Sequence, residues 1–397
     1  METIINPFNI YIALWTLHYL TGVVFMPGTI ASALVSLFLL LFTVFYSIKA
    51  VIEVIFPSYV KVLWLFGCVL LCYGVILMGT GTSVQISNYT YTGLSFIRSI
   101  LNSIFPIFVF YYFFYEGYVT PKSLQVWVIV LFCTATIFYF HKRSNILTEL
   151  ENFVVMRDGF TNNAAYSITT FLPLVLYFSN KKLVQIVVFG LCLFMILMGV
   201  KRGAILISMI VFVFYCIKMF MSASRNHRFG YILIITIFLG IFFYIYTKNF
   251  ATNEYFLQRI QQTAEGDISG RDIILSNLLN VVYYEFNTID IFLGRGAYGT
   301  LKVLGQFAHN DWVEIMISHG LLGLILYALF FIQFISFLKE NREDSTAFYS
   351  LVMVFTIIFM RTHFSMSYNE IDIWLSLALA YNTFKLEYSD DIFDSNT

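Results

Sequence analysis

The sequence predicts an all-α, polytopic integral membrane protein with about twelve transmembrane helices and one long external loop. Three observations lead there. Apolar residues make up 59% of the 397 positions and charged residues only 12%, with a mean hydropathy of +0.79; a soluble domain carries about a quarter charged residues. Apolar runs long enough to cross a ~30 Å hydrocarbon core recur along the whole chain. The alternation of outward apolar and inward polar residues that marks a membrane β-barrel strand is missing.

In chain order the apolar runs cover residues 8–26, 29–47, 59–78, 96–116, 122–140, 164–179, 183–200, 203–221, 229–247, 312–338, 345–361 and 367–386. Most connections are short. The exception is 248–311, an external loop expected to carry part of an active site within a single transmembrane domain spanning 1–397. Met1 to Pro7 holds no lysine or arginine, so the charged start of a cleavable signal is lacking and the first span is expected to be retained. The acidic stretch from Glu387 to Asp394 reads as a solvated end, and Asn88-Tyr89-Thr90 as a chance glycosylation sequon. Cys68, Cys72, Cys133, Cys192 and Cys216 all fall in apolar spans, where cysteine behaves as a small hydrophobe; neither a disulfide framework nor a metal site is expected.

Net charge is zero, which gives no basic field for nucleic acid. With both termini cytoplasmic, the inner loops collect Lys49, Lys61, Lys122, Lys181, Lys182, Lys218, Arg225, Arg228, Lys339, Arg342 and Lys385. The outer side carries Arg98, Lys142, Arg143, Arg157, Lys201, Arg202, Lys248, Arg259, Arg271, Arg295, Lys302 and Arg361. Eleven against twelve leaves the orientation open by the positive-inside rule. The residue types do differ: lysine fills eight of the eleven inner positions and arginine eight of the twelve outer ones. Arginine offers a rigid, permanently charged fork suited to phosphate and pyrophosphate; each arginine alone can equally snorkel to a lipid headgroup.

The segments that can carry chemistry lie on that outer side. Arg157-Asp158-Gly159-Phe160-Thr161-Asn162-Asn163 forms a polar lip in which Arg157, Asn162 and Asn163 suit sugar hydroxyls or phosphate, with Tyr166 adding an aromatic surface. Lys201-Arg202-Gly203 interrupts two spans with almost no loop, placing Arg202 at the membrane surface or in a cavity between helices. Asp267-Ile268-Ser269-Gly270-Arg271 precedes a helical pattern that Asp267 or Ser269 can cap, putting Arg271 in a first turn that attracts anions. Gly294-Arg295-Gly296-Ala297-Tyr298-Gly299 spells the dinucleotide fingerprint but lacks the surrounding βαβ unit, so it reads as a flexible hairpin. Ala308-His309-Asn310-Asp311-Trp312-Val313-Glu314 places ionisable groups where the loop enters a span, at a boundary where they are costly unless used. By spacing alone His309 is a helix-end anchor or a general base, and Asp311 or Glu314 can orient it or serve as the base. His363, in Arg361-Thr362-His363, is the second choice, and His319 is expected to pack against neighbours.

Taken in order, Gly159 to Asn163, Arg202-Gly203, Ser269-Gly270-Arg271, Gly294-Arg295-Gly296, and Ala308-His309-Asn310 leading to Glu314 and Gly320-Leu321-Leu322-Gly323-Leu324 resemble the O-antigen polymerase and ligase superfamily of bacterial envelope glycosyltransferases, over residues 155 to 340. The resemblance implies metal-independent glycosyl transfer without a cofactor, on the outer face of the cytoplasmic membrane. It implies a polyprenyl-diphosphate-linked oligosaccharide as donor and acceptor, and a chain-length regulator protein as a partner. Carried onto this chain, Arg202 and Arg271 stabilise the departing diphosphate and His309 activates the acceptor, with Glu314 beside it. Arg157, Asn162, Asn163, Arg295, Asn310 and Asp311 are then expected to bind substrate. Lys201 departs from the family pattern, which often has a small hydroxyl residue before the arginine. A polymerase building O-antigen, capsular or exopolysaccharide is the first expectation, a ligase to lipid A-core the second, and a lipid-linked sugar transporter the alternative from another class. A transporter should carry ionisable residues near the bilayer midplane on broken helices.

Overall fold

The computed structural model describes residues 6–86, 89–151, 163–199, 201–222, 271–342, 345–364 and 371–388, with a few single positions between them. The chain opens with α1 (Pro7–Leu17), started by Pro7 and by the Asn6 side chain accepting from the Phe8 amide at 2.9 Å. It continues as a π-helix over His18–Phe25, so that 7–25 forms one span. Next come α2 (Ile30–Glu53) and α3 (Ser58–Gly79), then a short hairpin of β1 (Val84–Ile86) against β2 (Tyr89–Tyr91), with Val84 opposite Tyr91. A Thr92–Ser95 capping box starts α4 (Gly93–Ser103), and Pro106 opens α5 (Pro106–Tyr115), a broken pair that together is long enough to span.

The second half contains α6 (Pro121–Glu151), α7 (Ala164–Phe171) tightening into a 3₁₀ turn to Tyr177, α8 (Lys182–Met198) and α9 (Arg202–Met221). Between α9 and the next span, the described residues form α10 (Arg271–Tyr284), α11 (Thr288–Leu293) and α12 (Gly299–Leu304). The chain returns through α13 (Asp311–Glu340), α14 (Thr346–Phe364) and α15 (Ile373–Glu387). The main seams join α13 to α3, α15 to α5 and α14 to α9.

Eight helices among the described residues are long and apolar enough to cross a membrane, which makes this an all-α polytopic membrane protein. Eight of the expected twelve spans are helices of that kind; three others are shorter and one lies outside the described residues. The runs at 164–179 and 183–200 form apolar helical segments of Ala164–Tyr177 and Lys182–Met198, and the last forms a 15-residue helix. At 1.5 Å per residue that helix reaches only about 22 Å. The expected span at 229–247 lies outside the described residues. The stretch expected as an external loop also departs from a loop, since 271–304 is mostly helical.

α2 shows the membrane's effect on side-chain placement. It buries Ser32, Ser36, Thr43 and Ser47 and exposes Leu34, Leu37, Phe38, Leu41, Phe45 and Ile52. That inversion of the soluble pattern is favourable only where the surroundings are hydrocarbon, because small residues let helices approach while large ones meet lipid. Behind it packs an aromatic core in which Tyr11 stacks on Phe42 (5.5 Å) and meets Phe110 edge-on (5.4 Å).

Candidate functional site

The site is framed by a break in α13. Gly320 has φ +60° and ψ −158°, a region essentially restricted to glycine, so the helix is interrupted nine residues after it begins. A break leaves helix carbonyls to be satisfied elsewhere. Here Ile317 O accepts the Arg295 amide and Ser318 O accepts the Gly296 amide, both at 2.8 Å. The glycines of the 294–299 motif permit this approach. A Cβ on Gly294 would stand 2.5 Å from the His319 nitrogen, and one on Gly299 would stand 2.8 Å from the Ser318 Cα. The motif is a main-chain dock onto α13, not the loose hairpin expected from its glycines.

Glu314, fully buried, completes the joint. Its carboxyl accepts from Thr300 Oγ1 (2.6 Å) and Ser318 Oγ (3.4 Å) on one oxygen and from the Ala308 amide (3.0 Å) on the other. It thereby holds the turn that ends at His309, whose φ of +53° is left-handed. Asn310 caps α13 by accepting from the Val313 amide at 3.2 Å. Asp311, also buried, accepts from Tyr327 Oη at 2.7 Å. Glu314→Gln is expected to cost about 1–3 kcal/mol, because an amide nitrogen cannot accept in place of a carboxyl oxygen. Thermal unfolding in detergent, with hydrogen exchange at 299–310, measures this; unchanged protection of those amides would remove Glu314 from the joint.

Below this turn lies a cavity of about 900 Å³ at one end of the bundle. Among the described residues it is lined by four cations, Arg98, Lys201, Arg271 and Arg361, and by one carboxylate, Asp372, together with His18 and His309. These come from seven places: the π-turn after α1, α4, the start of α9, the start of α10, the turn before α13, the end of α14 and the residue before α15. Arg271 is oriented by its Nη1 donating to Phe364 O at 3.1 Å. Arg361 is buried, lies over the Tyr166 ring at 5.5 Å and faces Asp372 at 4.0 Å. Asp372 in turn accepts from Thr170 Oγ1 (2.8 Å), Ser167 Oγ (3.2 Å) and Tyr19 Oη (3.4 Å). On the opposite wall Ser36 Oγ accepts from Arg98 Nη2 at 3.3 Å and shares a 3.1 Å hydrogen bond with His18 Nδ1.

Of the residues singled out from sequence, Arg271, His309 and Asn163 line this cavity. Lys201 lines it and Arg202, the first residue of α9, does not. Glu314, Asn310 and Asp311 do not line it; they shape the turn that carries His309. Arg295 sits on the surface above Phe286 (5.2 Å), between Glu285 (3.4 Å) and Asp290 (3.8 Å). Arg157 and Asn162 lie outside the described residues, as do the expected helix-capping residues Asp267 and Ser269. His319 packs between Tyr73 (4.7 Å) and Phe96 (6.0 Å). His363 is exposed at the end of α14.

The sequence reading gave no site role to Arg98, Arg361, Asp372 or His18. The available signal was their placement within or at the ends of apolar runs, where an ionisable group is expensive. Without the fold, nothing joins residues as far apart as 18 and 372. With four cations against one carboxylate among the described residues, this lining suits a multiply charged anion next to a neutral hydrogen-bonding group. Comparison of the chain with family models, curated proteins and solved structures gives no match.

Proposed function

We propose that this protein is a membrane glycosyltransferase that polymerises polyprenyl-diphosphate-linked oligosaccharides into O-antigen, capsular or exopolysaccharide on the outer face of the bacterial cytoplasmic membrane. The observation that carries the reading is the single cavity uniting Arg98, Lys201, Arg271 and Arg361 with the exposed His309 at its edge. In the proposed reaction, a hydroxyl oxygen of the acceptor sugar attacks the anomeric carbon of the donor. The bond from that carbon to the diphosphate oxygen breaks, and its electron pair leaves with the polyprenyl diphosphate. The hydroxyl proton passes to the His309 imidazole. Diphosphate is a good leaving group, so fixed cations and positioning supply most of the rate. Asn163 lines the same cavity and would offer its amide to a sugar hydroxyl.

The test is reconstitution of the purified protein with one synthetic lipid-linked repeat. A ladder of products is expected. Transfer only to added lipid A-core would move the protein to the ligase class, and passage of the lipid across the bilayer with no product would defeat the enzyme reading.

His309→Asn discriminates base from anchor. Asparagine tolerates left-handed backbone but cannot take up the proton. A fall in transfer rate of about 100-fold or more, at unchanged thermal stability, is expected; full activity in this variant would eliminate His309 as the base.

A further inference from the structure

A second polar cavity, of about 380 Å³, lies at the other ends of several helices that build the first. It is lined by the beginnings of α6, α8 and α14 (Gln125, Lys182, Thr346) and the last turns of α9 and α15 (Lys218, Lys385). The first cavity takes Phe138 further along α6, Lys201 before α9, Arg361 near the end of α14 and Asp372 before α15. The two therefore open at opposite ends of the bundle.

Three lysines on three different helices converge on the second cavity. Lys218 is buried, with its ammonium over the Tyr349 ring at 5.5 Å. Lys182 Nζ donates to Ser222 O at 3.1 Å, tying the start of α8 to the end of α9. The polar wall is fixed by hydrogen bonds between elements. Gln185 Nε2 donates to Leu176 O (2.9 Å) and Ser179 O (2.7 Å), and Gln125 Nε2 donates to Asn180 Oδ1 (3.0 Å). Tyr177 Oη donates to Asn382 Oδ1 at 2.5 Å behind it.

We propose that this cavity is a phosphate-binding site, taking the phosphate of an anionic phospholipid headgroup or a free phosphate anion. The volume falls within the range of small-ligand pockets. Lysine side chains from three helices line one polar space, so a phosphate there would meet cationic donors from more than one side. Lysine is a compact phosphate binder whose stem runs along apolar surface while its charge reaches the headgroup layer. All three lysines belong to the lysine-rich end of the chain, the side that faces an anionic leaflet if the arginine-rich cavity faces outward.

The experiment uses the full-length protein in neutral detergent, with phosphatidylglycerol or inorganic phosphate as probes. Native mass spectrometry reads stoichiometry, and thermal unfolding reads stabilisation. Lys182→Gln/Lys385→Gln replaces the two partly exposed lysines, and Lys218→Met replaces the buried one with a side chain of similar length. Stabilisation by phosphatidylglycerol, with one tightly held lipid weakened about tenfold or more in the double variant, assigns the site to a headgroup. Stabilisation by millimolar inorganic phosphate with the same loss assigns it to the free anion. Equal lipid binding and equal unfolding temperatures in the double variant and the parent, with either probe, would overturn the proposal whether or not Lys218→Met folds.

Discussion

Arg271→Ala is expected to abolish measurable polymer formation, a loss of about 100-fold to 1000-fold in rate, while the protein still inserts and unfolds near the parent temperature. Arg271 is half-buried at the first turn of α10, aimed by its 3.1 Å hydrogen bond to Phe364 O, and lines the same cavity as Arg361 and Lys201. Removing a fixed positive charge from the place where negative charge develops raises the barrier. The lost hydrogen bond itself costs folding only about 1 kcal/mol. Arg271→Lys separates charge from shape: it keeps the charge and loses the planar fork, so a partial rate is expected. The measurement is product-ladder formation on reconstituted protein alongside thermal unfolding. A normal ladder from Arg271→Ala would show that the cavity does not hold the leaving diphosphate.

Gly320→Ala is expected to be among the most damaging single-methyl changes, destabilising by about 3 kcal/mol or more. The backbone there has φ +60°, and an added Cβ would stand 2.5 Å from the Phe292 carbonyl carbon and 2.6 Å from the Gly294 nitrogen. Those are main-chain atoms, so no side chain can swing aside. Either α13 straightens and expels the 294–299 segment, or the chain fails to fold. Leu322→Ala, on an exposed position two residues later, is the control and should change stability much less. Expression and unfolding temperature in detergent decide; near-parent stability of Gly320→Ala would show that the break is not required.

The membrane class and most of the helices were legible because long apolar runs have few alternatives. The span count was less so, since 164–177, 182–198 and 373–387 are apolar yet short, and hydropathy does not show where a helix ends. Within the site, Arg271 and His309 were legible because each opens or precedes a helix in a polar stretch. Glu314 drew attention for its charge, but its hydrogen bonds put it in the joint behind the turn. The glycine motif was recognisable as letters and misread as a flexible hairpin, because its partner is the main chain of a helix some twenty residues downstream. Arg98, Arg361 and Asp372 acquire meaning only when helices far apart in sequence converge.

The dock between 294–299 and α13 is made mostly of amides, carbonyls and the absence of three side chains, backed by the Ser318 hydroxyl that accepts the Gly299 amide and by Glu314. Such a joint constrains Gly294, Gly299 and Gly320 and leaves nearly every exposed letter between 283 and 306 open to change. Ile289 and Phe292, exposed on α11, can be exchanged without disturbing the fastening, whereas Lys302 Nζ donates to Arg295 O at 3.1 Å and belongs to it. The segment is therefore an interchangeable face mounted on a fixed hinge plate, held by its backbone more than by its exposed side chains.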